Sequence, residues 1–207
     1  QVIRRGLPGS NESKQVLYLI GQTYMSMQDH KNAVETFKAS LAEYPEIEDY
    51  ILMDLARSWF NAGEYTHALE EVSRLLEKFP LSRLIPQAEM FRADVLSQLA
   101  KNQTAVSFLK KVLEKYSKKP RDPDFAPYLP ELTFRLAVLL ETERQSKEAY
   151  SFYRELFINY PSHPLTTKAD PSLKLLGIYP PALSEEEFST RVQALLSEAH
   201  FQQVVDE

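Results

Sequence analysis

The sequence predicts an all-α protein, a right-handed α-α superhelix of short helix pairs. Three observations carry that expectation. Apolar residues recur at helical spacing in paired segments, pairs close on an aromatic-proline dipeptide, and small residues return at matching places in successive helices. Glycine is also scarce, with five in 207 residues. That suits helices joined by short polar turns better than the phosphate loops and tight turns of an α/β enzyme.

In the first unit, Val16, Leu17, Leu19, Ile20 and Tyr24 mark one helix and Asp29-His30 the break. Ala33, Val34, Phe37 and Leu41 mark a second helix, which Tyr44-Pro45 stops. The second unit repeats the layout with Leu52, Leu55, Ala56 and Trp59, a break at Asn61–Glu64, then Ala68, Leu69, Val72 and Leu75 before Phe79-Pro80. A later unit has Leu132, Leu136, Ala137 and Leu140, then Ala149, Tyr153 and Leu156 before Tyr160-Pro161. Proline lacks an amide donor and forces its predecessor out of helical geometry, so each aromatic-proline pair ends a helix. Gly21, Ala56, Ala93 and Ala137 recur in first helices, and Ala33, Ala68, Ala105 and Ala149 in second helices. Two helices cross closely only where a contact position on each carries almost no side chain.

The expected organisation is a lead-in over 1–12, three repeats over 13–116, and a link rich in proline and charge over 117–130. A fourth repeat covers 131–161, and 162–207 holds an irregular helix followed by a truncated further repeat. Pro130 is placed to open a helix, and Pro164 to Leu176 reads as the irregular piece, ended by Gly177. Ser184 opens another helix, with Glu187 completing a capping box and Glu185 and Glu186 in the positive first turn. Phe188, Val192, Leu195 and Leu196 form its apolar face, and Phe201, Val204 and Val205 are expected to begin its paired helix.

The net charge is -5, with both signs spread along the chain, so no electrostatic footprint for nucleic acid is expected. There is no cysteine, which rules out disulfides and thiolate chemistry and suits an extracytoplasmic protein. No apolar run approaches the ~20 residues of a membrane span. Gln1 to Gly9 has no apolar core or cleavage pattern, so no signal peptide is expected within it. The absence of an initial Met suggests a processed or excised form. His30, His67 and His200 fall in or beside turns, and His163 lies before Pro164, which suits solvated side chains rather than a metal site. The basic cluster Lys110, Lys111, Lys115, Lys118, Lys119 and Arg121 is diluted by Glu114, Asp122 and Asp124 and reads as solvated surface. No catalytic, cofactor-binding or metal-binding residue is expected, and no cofactor.

Leu17, Ile20, Gly21, Tyr24, Ala33, Phe37 and Pro45 resemble the tetratricopeptide (TPR) consensus, with Leu17 where Trp is usual and Ser40 where Ala is usual. The third unit is degraded, carrying Glu89, Arg92 and Ser117 where apolar residues or proline are normal. Spacing between units somewhat exceeds the consensus period of about 34 residues, and the excess lies in the connections. The resemblance covers roughly 13–161 and implies a TPR-like solenoid with a concave inner face. Aligned on it, Tyr18, Met53, Met90 and Phe134 face that side, with Met25, Tyr50, Arg57 and Phe60 nearby. Adaptable apolar side chains along a groove suit a peptide or partner helix, and burial between adjacent repeats is the competing reading. The lysine and asparagine clamp of chaperone-tail-binding repeats is absent, since Tyr18 and Gln22 occupy its first positions.

The Tyr-Pro and Phe-Pro helix ends, the segment Tyr160–Leu165 and the stretch from Leu183 to Val204 also resemble the N-terminal superhelix of soluble lytic murein transglycosylases. That resemblance implies a periplasmic, peptidoglycan-associated parent enzyme, with its lysozyme-like domain further along the chain as an intramolecular partner. No catalytic residue is carried over, because Glu12-Ser13 lacks the downstream Gly-Leu-Met-Gln loop. The alternative is a stand-alone TPR adaptor of cell-envelope assembly, of the outer-membrane-assembly lipoprotein or cell-division coordinator type, which also uses Tyr-Pro-terminated repeats. A cytoplasmic location stays open.

Overall fold

The computed structural model describes residues 11–118, 123–177 and 179–205, and all regular structure among them is helical. The helices are α1 (Asn11–Ser26), α2 (His30–Glu43), α3 (Glu48–Asn61), α4 (Tyr65–Lys78) and α5 (Ile85–Gln98), followed by α6 (Asn102–Ser117), α7 (Leu129–Thr142), α8 (Ser146–Asn159), α9 (Pro164–Leu176) and α10 (Glu185–Val205). Two compact units divide the chain at Lys101 and Asn102, so α1–α5 belong to the first and α6–α10 to the second.

Four of the helix-to-helix turns share one hydrogen-bond pattern. The amides of Gln28, Gly63, Ala100 and Arg144 donate to the carbonyls three residues back. The next amides, of Asp29, Glu64, Lys101 and Gln145, donate to carbonyls five residues back. This is a Schellman ending, which needs one residue in the left-handed region. That residue is Gln28 at φ 59°, Gly63 at 81°, Ala100 at 56° and Arg144 at 60°. Glycine fills the position once in four.

The small residues expected at helix crossings are buried. Ala33, Ala56, Ala68, Ala105, Ala137 and Ala149 are fully buried, as is Ala93 to within 1%. A Cβ on Gly21 would lie 2.6–2.9 Å from ring carbons of Phe37, so α1 and α2 meet there with no room for a methyl group. Within the first unit, α3 is buried on two sides. Ile51 and Leu55 join Ala33, Val34 and Phe37 in one core, while Leu52, Met53 and Ala56 join Val72, Leu75, Ile85 and Ala88 in another. Glu48, 8% exposed, opens α3 and accepts from Arg74 at 2.9 Å and Lys78 at 2.6 Å on α4.

The second unit builds its core from α6 to α9, with Leu109, Tyr116, Leu132, Leu136, Tyr153, Leu156 and Leu173 buried. Pro130 sits in the first turn of α7, where its missing amide costs nothing. Thr166 of α9 donates to the carbonyls of Leu156 and Tyr160, closing α9 over the end of α8. The expected capping box is present: the Ser184 amide donates to Glu187 at 2.8 Å, and the Glu187 amide to Ser184 Oγ at 3.2 Å. One expectation is corrected. Residues from Phe201 do not begin a new helix, because α10 continues to Val205, and no proline or glycine lies between Glu185 and Val205 to break it. Residues 1–10, most of the expected lead-in, lie outside the described residues.

Candidate functional site

The candidate groove residues of the first unit sit on α1, α3 and α5, and the structure separates them by depth. Met53, 2% exposed, belongs to the core around Val72 and Leu75, and Met90 is 9% exposed. Both are interior, because α3 and α5 pack on more than one neighbouring element and leave little of these positions bare. In this structure Met53 and Met90 support a surface and do not form one. Tyr50 is exposed, and so is the Arg57 side chain. Tyr18, Met25 and Phe60 are half-buried, with Phe60 set edge-on to Tyr65 and Phe91. In the second unit, Phe134 on α7 is half-buried beside Tyr153, with ring centroids 6.1 Å apart.

A polar network joins α1 to α3. The Tyr18 hydroxyl donates to Asp54 Oδ2 at 2.7 Å, and Gln22 Nε2 donates to Tyr18 Oη at 2.8 Å and to Asp54 Oδ2 at 3.3 Å. Arg57 lies 3.6 Å from the other Asp54 oxygen. Burial, reinforced by the Asp54 carboxylate, raises the Tyr18 phenol well above its ordinary pKa, so it stays a neutral donor. Asp54, 9% exposed, is therefore spent on holding Tyr18 and orienting Arg57. Sequence reasoning passed over Asp54. Its signal was its place one helical turn before Arg57 and beside Met53.

The second unit has a comparable tie. Glu141 Oε2 on α7 accepts from the Tyr153 hydroxyl of α8 at 2.7 Å and from Ser172 Oγ of α9 at 2.9 Å. Burial first, and then Glu141, raises the Tyr153 phenol. The network joins three helices.

The other polar features stay apart. His67 stacks on Trp59 at 4.6 Å, and His163 Nδ1 accepts the Leu165 amide as the cap of α9. His30 begins α2, and the side chain of His200 lies outside the described residues. Lys110 pairs with Glu148, Lys118 with Glu114, and Lys115 lies over the Tyr116 ring, so the basic cluster has no common focus; Lys119 and Arg121 are outside the described residues. Among the described residues no group of three or more His, Asp or Glu is placed to hold a metal ion.

The family model described as "YfiO: Outer membrane lipoprotein" matches residues 10–178. No curated protein matches the sequence. Among solved structures, MamA is similar with a TM-score of 0.58 at 16% identity, over 89% of this chain and 97% of that one. A putative kinesin light chain from Podosopora anserina, with nearly identical TPR-like repeats, gives 0.61 at 16% identity, over 93% and 96%. A tetratricopeptide repeat protein from Parabacteroides merdae gives 0.63 at 14% identity, over 91% and 68%. At these identities the likeness is one of fold, and the fold is the TPR-like solenoid.

Proposed function

The chain belongs to the YfiO family of outer membrane lipoproteins, and on that footing we propose that it is an adaptor of cell-envelope assembly working in the periplasm. It is a TPR-type interaction scaffold. The observation that carries the envelope reading is the family match, which spans α1 to α9. The Tyr-Pro helix ends belong equally to outer-membrane-assembly adaptors and to transglycosylases, so the match favours the adaptor over a fragment of a murein-cleaving enzyme.

The partner, a protein or peptide, docks along the exposed side of α1 and α3. Tyr50 and Arg57 make direct contact, Tyr18, Met25 and Phe60 line the contact, and Asp54 holds its polar part in place. In the second unit, Phe134 is the corresponding candidate. A photocrosslinking amino acid placed at Tyr50 or Arg57 should capture an envelope protein in living cells, and the same probe at buried Met53 should not. Equal capture from all three positions, or none from Tyr50 and Arg57, would remove this face from the proposal.

A further inference from the structure

Helix α10 is mounted the wrong way round for a helix that ends in its own core. The side facing α8 is its polar side. Arg154 of α8 forms a two-pronged pair with Glu187, its second prong at 2.7 Å, and also donates to the Ala182 carbonyl at 2.6 Å. One turn on, the Arg191 guanidinium lies 3.8 Å from the centroid of the Phe157 ring and donates to the Phe157 carbonyl. Glu187, Arg191 and the half-buried Ala194 thus form the attached stripe. The neighbouring stripe, Phe188, Val192, Leu195 and Leu196, faces solvent at 60, 37, 40 and 57% exposure. Four apolar side chains at i, i+4, i+7 and i+8 make the pattern by which helices pack on other helices. The α10 sequence lies beyond the residues that the family model matches.

Charge selects the occupant. Arg191 is the one Lys or Arg in the α10 sequence, and its guanidinium is turned inward onto Phe157. Glu185 and Glu186 are exposed at the start of the stripe, and α10 contains Glu198 further along. An anionic lipid surface attracts helices rimmed with lysine and arginine, which α10 lacks. A second copy of α10 would bring further glutamates to the stripe and no free Lys or Arg, since its Arg191 is also turned inward. We propose that α10 is a docking helix whose outward stripe takes an amphipathic helix of a protein partner, one with Lys or Arg along the margin of its own apolar face. The proposal does not rest on the groove of the first unit.

The test uses the whole chain and two labelled helical peptides with the same leucine-alanine stripe, one flanked by lysine and one by glutamate. The lysine-flanked peptide should bind, and Phe188→Ser with Leu196→Ser should weaken it at least about tenfold. Both positions are exposed, so circular dichroism and the melting point should hold. A second variant, Glu185→Lys with Glu186→Lys, should shift preference toward the glutamate-flanked peptide, and it carries the test alone should the first variant misfold. Equal binding of both peptides overturns the proposal, as does binding indifferent to either variant. Self-association that depends on α10 in sedimentation overturns it too, as does α10-dependent binding to phosphatidylglycerol vesicles.

Discussion

At the scale of single residues, the four Schellman turns hold three side chains in a backbone region that glycine occupies freely and other residues occupy at a cost. Replacing Gln28, Ala100 or Arg144 by glycine should therefore stabilise the fold by up to about 1 kcal/mol each, and Gly63→Ala should cost a similar amount. Thermal melts of the four single variants check both signs. The helix crossings set the opposite constraint. Gly21→Ala presses a methyl group into the Phe37 ring and should cost about 1–3 kcal/mol, as should Ala68→Leu at the α3–α4 crossing. Adding Phe37→Leu to Gly21→Ala should recover part of that loss, and additive losses would mean that the ring is not the obstacle. The crossing residues were legible in the sequence because smallness at a fixed repeat position has one cause. The left-handed positions were not, because side chains as unlike as Gln, Ala and Arg occupy three of the four.

At the scale of helices, the attachment of α10 depends on ionisation. The Arg154 guanidinium, helped by the Ser184 amide, lowers the Glu187 carboxyl to about 2 from an ordinary 4.5. A depressed carboxylate stabilises the docked helix above its free value, and the contribution disappears as pH falls through the bound value. The grip of α10 on α8 should thus be intact at neutral pH and fade between about 4.5 and 2. Arg154→Ala should return the Glu187 titration toward 4.5, and NMR of the side-chain carboxyl measures it. A midpoint that stays near 2 in that variant would remove Arg154 as the cause. Helix starts and stops were readable wherever proline, glycine or a capping box marks them, as at Pro45, Pro164, Gly177 and Ser184. The expected break before Phe201 carried no such marker, and the helix runs through it. The groove was legible in outline only. Periodicity places Met53 and Met90 on the inner side of their helices, but how deeply a neighbour covers them depends on packing that one helix's pattern does not record.

At the scale of the whole chain, cutting a glycan strand needs a carboxylic acid with a raised pKa close to the scissile oxygen. Glu71 and Glu155 are raised, and burial is the leading cause for both. Glu71 lies 3.8 Å from Arg74, which opposes its shift, and the fold and family are those of an interaction scaffold. Incubation of the purified chain with murein sacculi should therefore release no anhydromuropeptides above a buffer control. Release that a single carboxylate substitution abolishes would reverse this reading. The TPR-like class was legible because its signature positions recur along the chain. The family was legible only as the alternative, the outer-membrane-assembly adaptor, because aromatic-proline helix ends are shared by several envelope proteins and did not rank it above the transglycosylase.

The two-sided burial of α3 bears on how such a chain can change length. Ile51 and Leu55 serve one core, while Leu52, Met53 and Ala56 serve the next. Inserting one residue within α3 would turn everything after it by about 100°, exchanging the two sets between cores that do not fit them. An insertion between Pro80 and Arg83 disturbs neither. The helices α2, α3, α4, α5, α7 and α8 are each 14 residues long, whereas the connections between pairs differ widely. A helix packed on two sides, as α3 is, does not tolerate a shift of frame, and that fits the contrast. This intolerance makes the connections the places where insertions, tags or whole extra helix pairs can be added without loss of fold.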